Sequence, residues 1–140
     1  MSDRERAGAD VDVAMRAPDA FARAGFVVSA ATVDRTLQID VRIPSTAIRI
    51  RPAGANERAT FSVHAELQPA TGRGRAKTLP GKDVVLDLSP DRMNAIRASD
   101  KVAVRLDSPA PPPGTYVLTV VARDSGGWVA AATSELTVGR

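Results

Sequence analysis

Apolar and polar residues alternate along several short stretches of the chain, which is typical of half-buried β-strands. The clearest alternation spans residues 37–43, where Leu, Ile and Val occupy every second position between Gln, Asp and Arg. Residues 60–67 and 101–106 alternate in the same way, and residues 26–33 and 84–88 are rich in Val and Leu. Gly, Pro, Asn and Asp clusters separate these stretches. The pattern predicts about seven or eight short strands.

The C-terminal stretch predicts a hairpin around which the other strands pack. Three prolines and Gly114 lead into a strand from Thr115 to Ala122, and both faces of this strand are largely apolar. The turn residues Asp124–Gly127 follow, and Trp128 begins a final strand. A strand of this kind needs cover on both faces or a deep place in a sandwich.

One short helix and one N-terminal tail complete the predicted architecture. Ser89 is placed as the N-cap of a helix that has Pro90 at its first position and ends near Arg97. In residues 1–25, Asp, Arg and Pro interrupt the few apolar residues, which predicts an extended N-terminal tail. We assign residues 26–140 to an all-β, immunoglobulin-like antiparallel β-sandwich, with a small barrel as the alternative.

Composition excludes several kinds of chemistry but identifies no function. The 140 residues include no Cys, which excludes disulfides, thiolate nucleophiles and sulfur-ligated metals. The net charge is +3 and the pI about 9.9, but acidic residues are interspersed, so a mildly basic solvated surface is favoured. No apolar run approaches the length of a membrane span, and the N-terminus has no apolar signal region. We expect a cytoplasmic or cytoplasm-facing protein, unless the chain is a fragment of a secreted one.

The candidate catalytic and ligand residues all favour structural interpretations. His64 is the only histidine, and we expect it on the solvated face of a strand. Trp128 and Tyr116 are expected to pack against neighbouring strands. The remaining candidates are carboxylates scattered over strands and loops: Asp83, Asp87, Asp91, Asp100, Asp107 and Asp124. The sequence therefore predicts no catalytic residue, no metal site, no cofactor and no small-molecule substrate.

Residues Pro112–Asp124 resemble the penultimate strand of bacterial immunoglobulin-like domains, which have a Pro-Gly-x-Tyr signature before that strand and an Asp-Gly turn after it. With the strands at residues 37–43 and 128–138, the segment is similar to the C-terminal sandwich of bacterial von Willebrand factor A-related proteins. This chain lacks their A domain and metal-adhesion motif, so metal-dependent adhesion is not implied. The resemblance implies a non-catalytic sandwich used for scaffolding or protein contact.

The preferred hypothesis is a non-enzymatic structural or accessory subunit that binds one or more protein partners, within a larger assembly. Its N-terminal tail would be the docking arm, because a polar segment with spaced apolar residues can order on a partner surface. The expected anchors are Val11, Val13, Met15 and Phe21. An edge strand near residues 48–51 would offer a second contact.

The alternative hypothesis is an anion-binding module that recognises nucleic acid or acidic lipid headgroups through the basic loop 73–82. Its expected binding residues are Arg73, Arg75, Lys77 and Lys82. The loop has no aromatic residues on which bases could stack. Carbohydrate binding by a sandwich face is a third possibility, but aromatic residues make up only 4% of the chain.

Overall fold

The computed structural model describes residues 2–71 and 74–139 of the protein. Within these residues the chain forms two α-helices and nine β-strands. The helices are α1 (Asp3–Arg16) and α2 (Pro90–Ala98). The strands are β1 (Val27–Val33), β2 (Thr36–Pro44), β3 (Arg51–Ala53), β4 (Asn56–Pro69), β5 (Lys77–Thr78), β6 (Lys82–Leu88), β7 (Lys101–Pro109), β8 (Gly114–Asp124) and β9 (Val129–Val138).

The strands form two antiparallel sheets. The smaller sheet has three strands in the order β1-β2-β7, and the larger sheet has six strands in the order β3-β4-β8-β9, with β5 and β6 also paired to β4. The inward side chains of both sheets form one apolar core. The predicted all-β antiparallel sandwich is confirmed, and its immunoglobulin-like type stays a prediction.

Alternation along each strand decides which side chains enter the core. In β2 the residues Leu37, Ile39, Val41 and Ile43 are buried, as the sequence pattern predicts. The β8–β9 hairpin is present, and the register places Leu118, Val120 and Ala122 on its inner face. The core is mostly aliphatic, and Phe26 and Phe61 are its buried aromatic residues.

The structure corrects the expected extended tail, because Asp3–Arg16 is an α-helix. The Ser2 side chain caps it by accepting a hydrogen bond from the Glu5 amide, and it ends before Pro18. Its apolar stripe packs on the outer face of the larger sheet, where Ala14 is fully buried. The helix therefore supplies the second cover that the two-faced apolar strand β8 requires. None of the helices in the described part of the chain is long and apolar enough to cross a membrane.

The predicted second helix is present as α2. Ser89 accepts a hydrogen bond from the amide of Arg92, Pro90 is the first helical residue, and Met93 is fully buried. The edge strand expected at residues 48–51 lies slightly later, at Arg51–Ala53, because the chain first makes a 3-10 turn at Ser45–Ala47.

Candidate functional site

The structure brings three of the four expected partner anchors onto the protein's own sheet. Val11, Met15 and Phe21 pack against a small cluster formed by Ala14, Val121, Val129 and Ala131. Val13 lies on the opposite side of the helix and is 55% exposed. Of the four residues, only Val13 therefore offers a largely exposed apolar side chain to another molecule.

The basic loop is only partly described, because Arg73 lies outside the described residues. Arg75, Lys77 and Lys82 are exposed, and Lys77 and Lys82 stand on β5 and β6 at one edge of the larger sheet. Gly74 precedes Arg75, and Gly81 precedes Lys82. Anion binding by this loop stays a prediction.

His64 is half-buried, which corrects the expectation of a solvated histidine. Helix α1 packs over β8 and β9, and a groove of about 440 Å³ lies between the helix and the outer face of β4. The groove is lined by Arg4, Ala7, Gly8, Val11, Asp12, Ser62, His64 and Asp83. The Nε2 atom of His64 lies 2.9 Å from the Ser62 hydroxyl oxygen. Burial lowers the pKa of His64, and the negative charge of Asp83 opposes this shift.

Asp124 is the one buried carboxylate among the described residues, and its contacts are structural. Its Oδ1 accepts a hydrogen bond from the backbone amide of Arg49 at 3.1 Å, and its Oδ2 accepts one from Gly126 at 2.7 Å. These bonds tie the β8–β9 turn to the segment before β3. Within residues 2–71 and 74–139, no group of three or more His, Asp or Glu side chains could hold a metal ion.

The aromatic residues of the hairpin make contacts within the chain. The Tyr116 hydroxyl donates a hydrogen bond to the carbonyl of Pro112 at 2.6 Å, which fixes the proline-rich entry against the strand. Trp128 packs edge-on against Phe26, with ring centroids 6.1 Å apart. The Trp128–Phe26 contact joins the last hairpin to the residue that precedes β1 of the smaller sheet.

The outer face of the smaller sheet is the candidate surface that sequence reasoning missed. We call it the open face, and its members are the outward residues of three strands: Val27, Ser29, Ala31 and Val33 on β1, Thr36, Gln38, Asp40 and Arg42 on β2, and Ala103, Arg105 and Asp107 on β7. All are exposed or half-buried. The sequence signal is that β1, Val27–Val33, contains no charged residue at all.

Side-chain chemistry divides the open face into two parts. At the β1 edge the residues are small or apolar, and Val27 and Val33 are each 47% exposed. Toward β7 the face is polar, and Arg105 Nε lies 2.9 Å from Asp40 Oδ1 in an exposed ion pair. The paired charges leave the middle of the face close to neutral.

Comparisons with known proteins show a similarity of fold but no family. No family model matches the sequence, and no curated protein matches it. Among solved structures, superoxide reductase from Nanoarchaeum equitans is similar, with a TM-score of 0.50 and 7% sequence identity. The alignment covers 80% of this chain and 91% of that chain. At this identity, the similarity shows a shared β-fold alone.

Proposed function

We propose that this protein is a non-catalytic β-sandwich subunit that binds a protein partner through its open face. The supporting observation is the exposed, uncharged outer side of β1, where Val27 and Val33 are each 47% exposed. Protein interface cores are depleted of charged residues, and exposed apolar patches mark interaction sites. The α1 helix covers the corresponding face of the larger sheet, so the two sheets differ in what they present to solvent.

The β1 side chains of the open face lose little conformational entropy when a partner binds. Val, Ser and Ala have little rotamer freedom to lose when a partner covers them. The Asp40–Arg105 pair neutralises its own charges, and the other two charged residues of the open face, Arg42 and Asp107, are opposite in sign, so the face has no net charge. We therefore expect a partner whose contact patch is flat, apolar and nearly neutral, with polar groups at its rim.

A partner bound to the open face would lie on the opposite side of the sandwich from the N-terminal helix α1. Val11, Met15 and Phe21 already pack within the chain, and freeing them would expose Val121 and Val129. Binding through the open face requires no such rearrangement. The reductase activity named for the structural neighbour gives no support for an enzymatic role here, because the identity is 7%.

Two matched arginine substitutions test the proposal. Ala31→Arg places a charge in the apolar part of the open face, opposite Gln38. Val85→Arg is the control, because Val85 is 58% exposed on the other sheet and lies between Asp83 and Asp87 along β6. Both variants should keep the stability of the unmodified protein. Untagged protein and the two variants would be immobilised and exposed to extract of the native host at low and at moderate salt.

Selective loss of one protein is the expected result. A stoichiometric partner should survive moderate salt on the unmodified protein and on Val85→Arg, and should be lost on Ala31→Arg. Equal capture by all three proteins would refute the open face as the binding surface. Recovery of only nucleic acid or lipid, released as salt rises, would instead support the anion-binding alternative.

A further inference from the structure

A second cleft lies on the opposite side of α1 from the His64 groove. It has a volume of about 470 Å³ and is lined by Arg6, Asp10, Arg51, Arg123, Ser125, Gly126 and Gly127. Helix α1 forms one wall, and the start of β3, the end of β8 and the β8–β9 turn complete it. Three arginines against one aspartate give the cleft a positive charge.

Two of these arginines have no side-chain partner among the described residues. Neither Arg6 nor Arg51 makes an ion pair or a side-chain hydrogen bond with the residues that the structure describes. Arg123 is different, because its Nε lies 3.0 Å from Asp10 Oδ2 and its side chain is only 15% exposed. Asp10 thus holds Arg123 in place through Nε, and the terminal nitrogens of that guanidinium stay available to a ligand.

The β8–β9 turn lines the cleft with two glycines, Gly126 and Gly127, which have no side chain to fill it. Gly127 has φ +97, a conformation that disfavours other residues, and a Cβ built on it meets nothing within 4 Å. A Cβ on Gly126 would lie 2.9 Å from Arg49 Cδ, so this position also requires glycine. The exposed Ser125 hydroxyl stands beside them as a further hydrogen-bond donor.

We propose that this cleft binds the dianionic phosphate group of a small molecule. Guanidinium groups match phosphate oxygens with paired hydrogen bonds, and several of them around one cleft favour a multiply charged oxyanion over a single carboxylate. The volume suits a phosphate group with a small organic substituent. Arg6 and Arg51 contact the anion from opposite walls, and Asp10-anchored Arg123 orients it. This site is independent of the open face, and either proposal can fail alone.

Isothermal titration calorimetry at constant ionic strength tests the site, with inorganic phosphate and ribose 5-phosphate as probes. The variants are Arg6→Gln and Arg51→Gln, both at exposed positions where folding should be unaffected. Arg92→Gln is the matched control, because it removes one exposed arginine from α2, which contributes to neither the cleft nor the basic loop. Amide chemical shifts of Ser125 and Gly127 report where the probe binds.

We expect saturable binding that Arg6→Gln and Arg51→Gln each weaken about tenfold, and that Arg92→Gln leaves unchanged. Tighter binding of ribose 5-phosphate identifies a phosphomonoester as the ligand, whereas tighter binding of inorganic phosphate identifies the free ion. Absence of saturable binding would overturn the proposal. Equal weakening by all three variants would do the same, since it would show only a diffuse response to net charge.

Discussion

Arg123 Nε on β8 lies 3.0 Å from Asp10 Oδ2 on α1, and this ion pair fastens the N-terminal helix to the larger sheet. The Arg123 side chain is 15% exposed and that of Asp10 is 38% exposed, so solvent screens the pair only in part. The pair adds to the apolar packing that holds α1 on the sheet. The pair also connects the β8–β9 hairpin to the N-terminal helix, since Asp10 and Arg123 are 113 residues apart in the sequence.

Removing the aspartate should loosen α1 more than the rest of the fold. Asp10→Ala leaves Arg123 without its partner and should lower the free energy of unfolding by about 1 kcal/mol. Urea denaturation measures the loss. Relative to the unmodified protein, amide hydrogen exchange should become faster in α1 and stay unchanged in β2. A double-mutant cycle with Arg123→Ala isolates the coupling. A coupling energy indistinguishable from zero would mean that apolar packing alone holds the helix.

The contact between α1 and the sheet should tolerate no larger side chain at its centre. Ala14 is fully buried against Val121, Val129 and Ala131, so Ala14→Leu should overpack the contact and lower stability by about 1–3 kcal/mol. Ala9→Leu is the matched control, because Ala9 is exposed on the same helix. Thermal and urea unfolding compare the two. Equal stability of both variants would contradict the packing of α1 described above.

Ser108 offers a stabilising substitution. It is 5% exposed on the inner side of β7, and its Oγ is buried with no hydrogen-bond partner among the described residues. Ser108→Ala removes this hydroxyl and should raise the free energy of unfolding by about 1 kcal/mol. Ser29→Ala, on the exposed face of β1, should change little. A decrease in stability for Ser108→Ala would show that the hydroxyl has a bonding partner after all.

The half-buried histidine predicts how stability depends on pH. Burial lowers the pKa of His64 below its ordinary value of 6.5, although Asp83 opposes the shift, and Arg4 and Asp12 of α1 also line its groove. Near pH 6.5 the unfolded chain therefore binds more protons than the folded chain. The free energy of unfolding should then rise with pH through this window and fall as the pH drops from 6.5 toward the folded-state pKa.

Denaturant unfolding at about pH 7.5 and pH 5.5 measures this dependence, and His64→Gln should reduce it. Glu57 and Asp87 do not interfere, because hydrogen bonds from Arg97 and Arg58 lower their pKa values and keep them ionised across the window. If His64→Gln keeps the same pH dependence of stability, groups other than His64 cause that dependence.

Local patterns in the sequence were sufficient to predict most of the sandwich. The alternation of Leu37 to Ile43, the turn after β8 and the Ser89 cap each specify their element from neighbouring residues alone. Helix α1 was missed because Asp10, Asp12 and Arg16 resemble a solvated tail, and because tertiary packing provides most of the stability of such a helix.

The candidate sites were harder to predict from the sequence, because their residues come together only in the folded protein. Arg6, Arg51 and Arg123 stand far apart in the chain and meet only because α1 folds over the end of β8. The open face depends on pairing β1 with β2 in one register, which places Val27 and Ala31 outward rather than inward. The arginine cleft has no local signature, and the only local sign of the open face is the absence of charged residues along β1.

Methyl cross-saturation measured by NMR on the purified complex with its partner tests the open face at the level of single side chains. Four exposed valines serve as reporters: Val27 and Val33 at 47% on the open face, Val13 at 55% on α1 and Val85 at 58% on β6. Saturation of the partner should reduce the signals of Val27 and Val33 and spare those of Val13 and Val85. Loss confined to Val13 would contradict binding through the open face and return the docking role to the N-terminal segment.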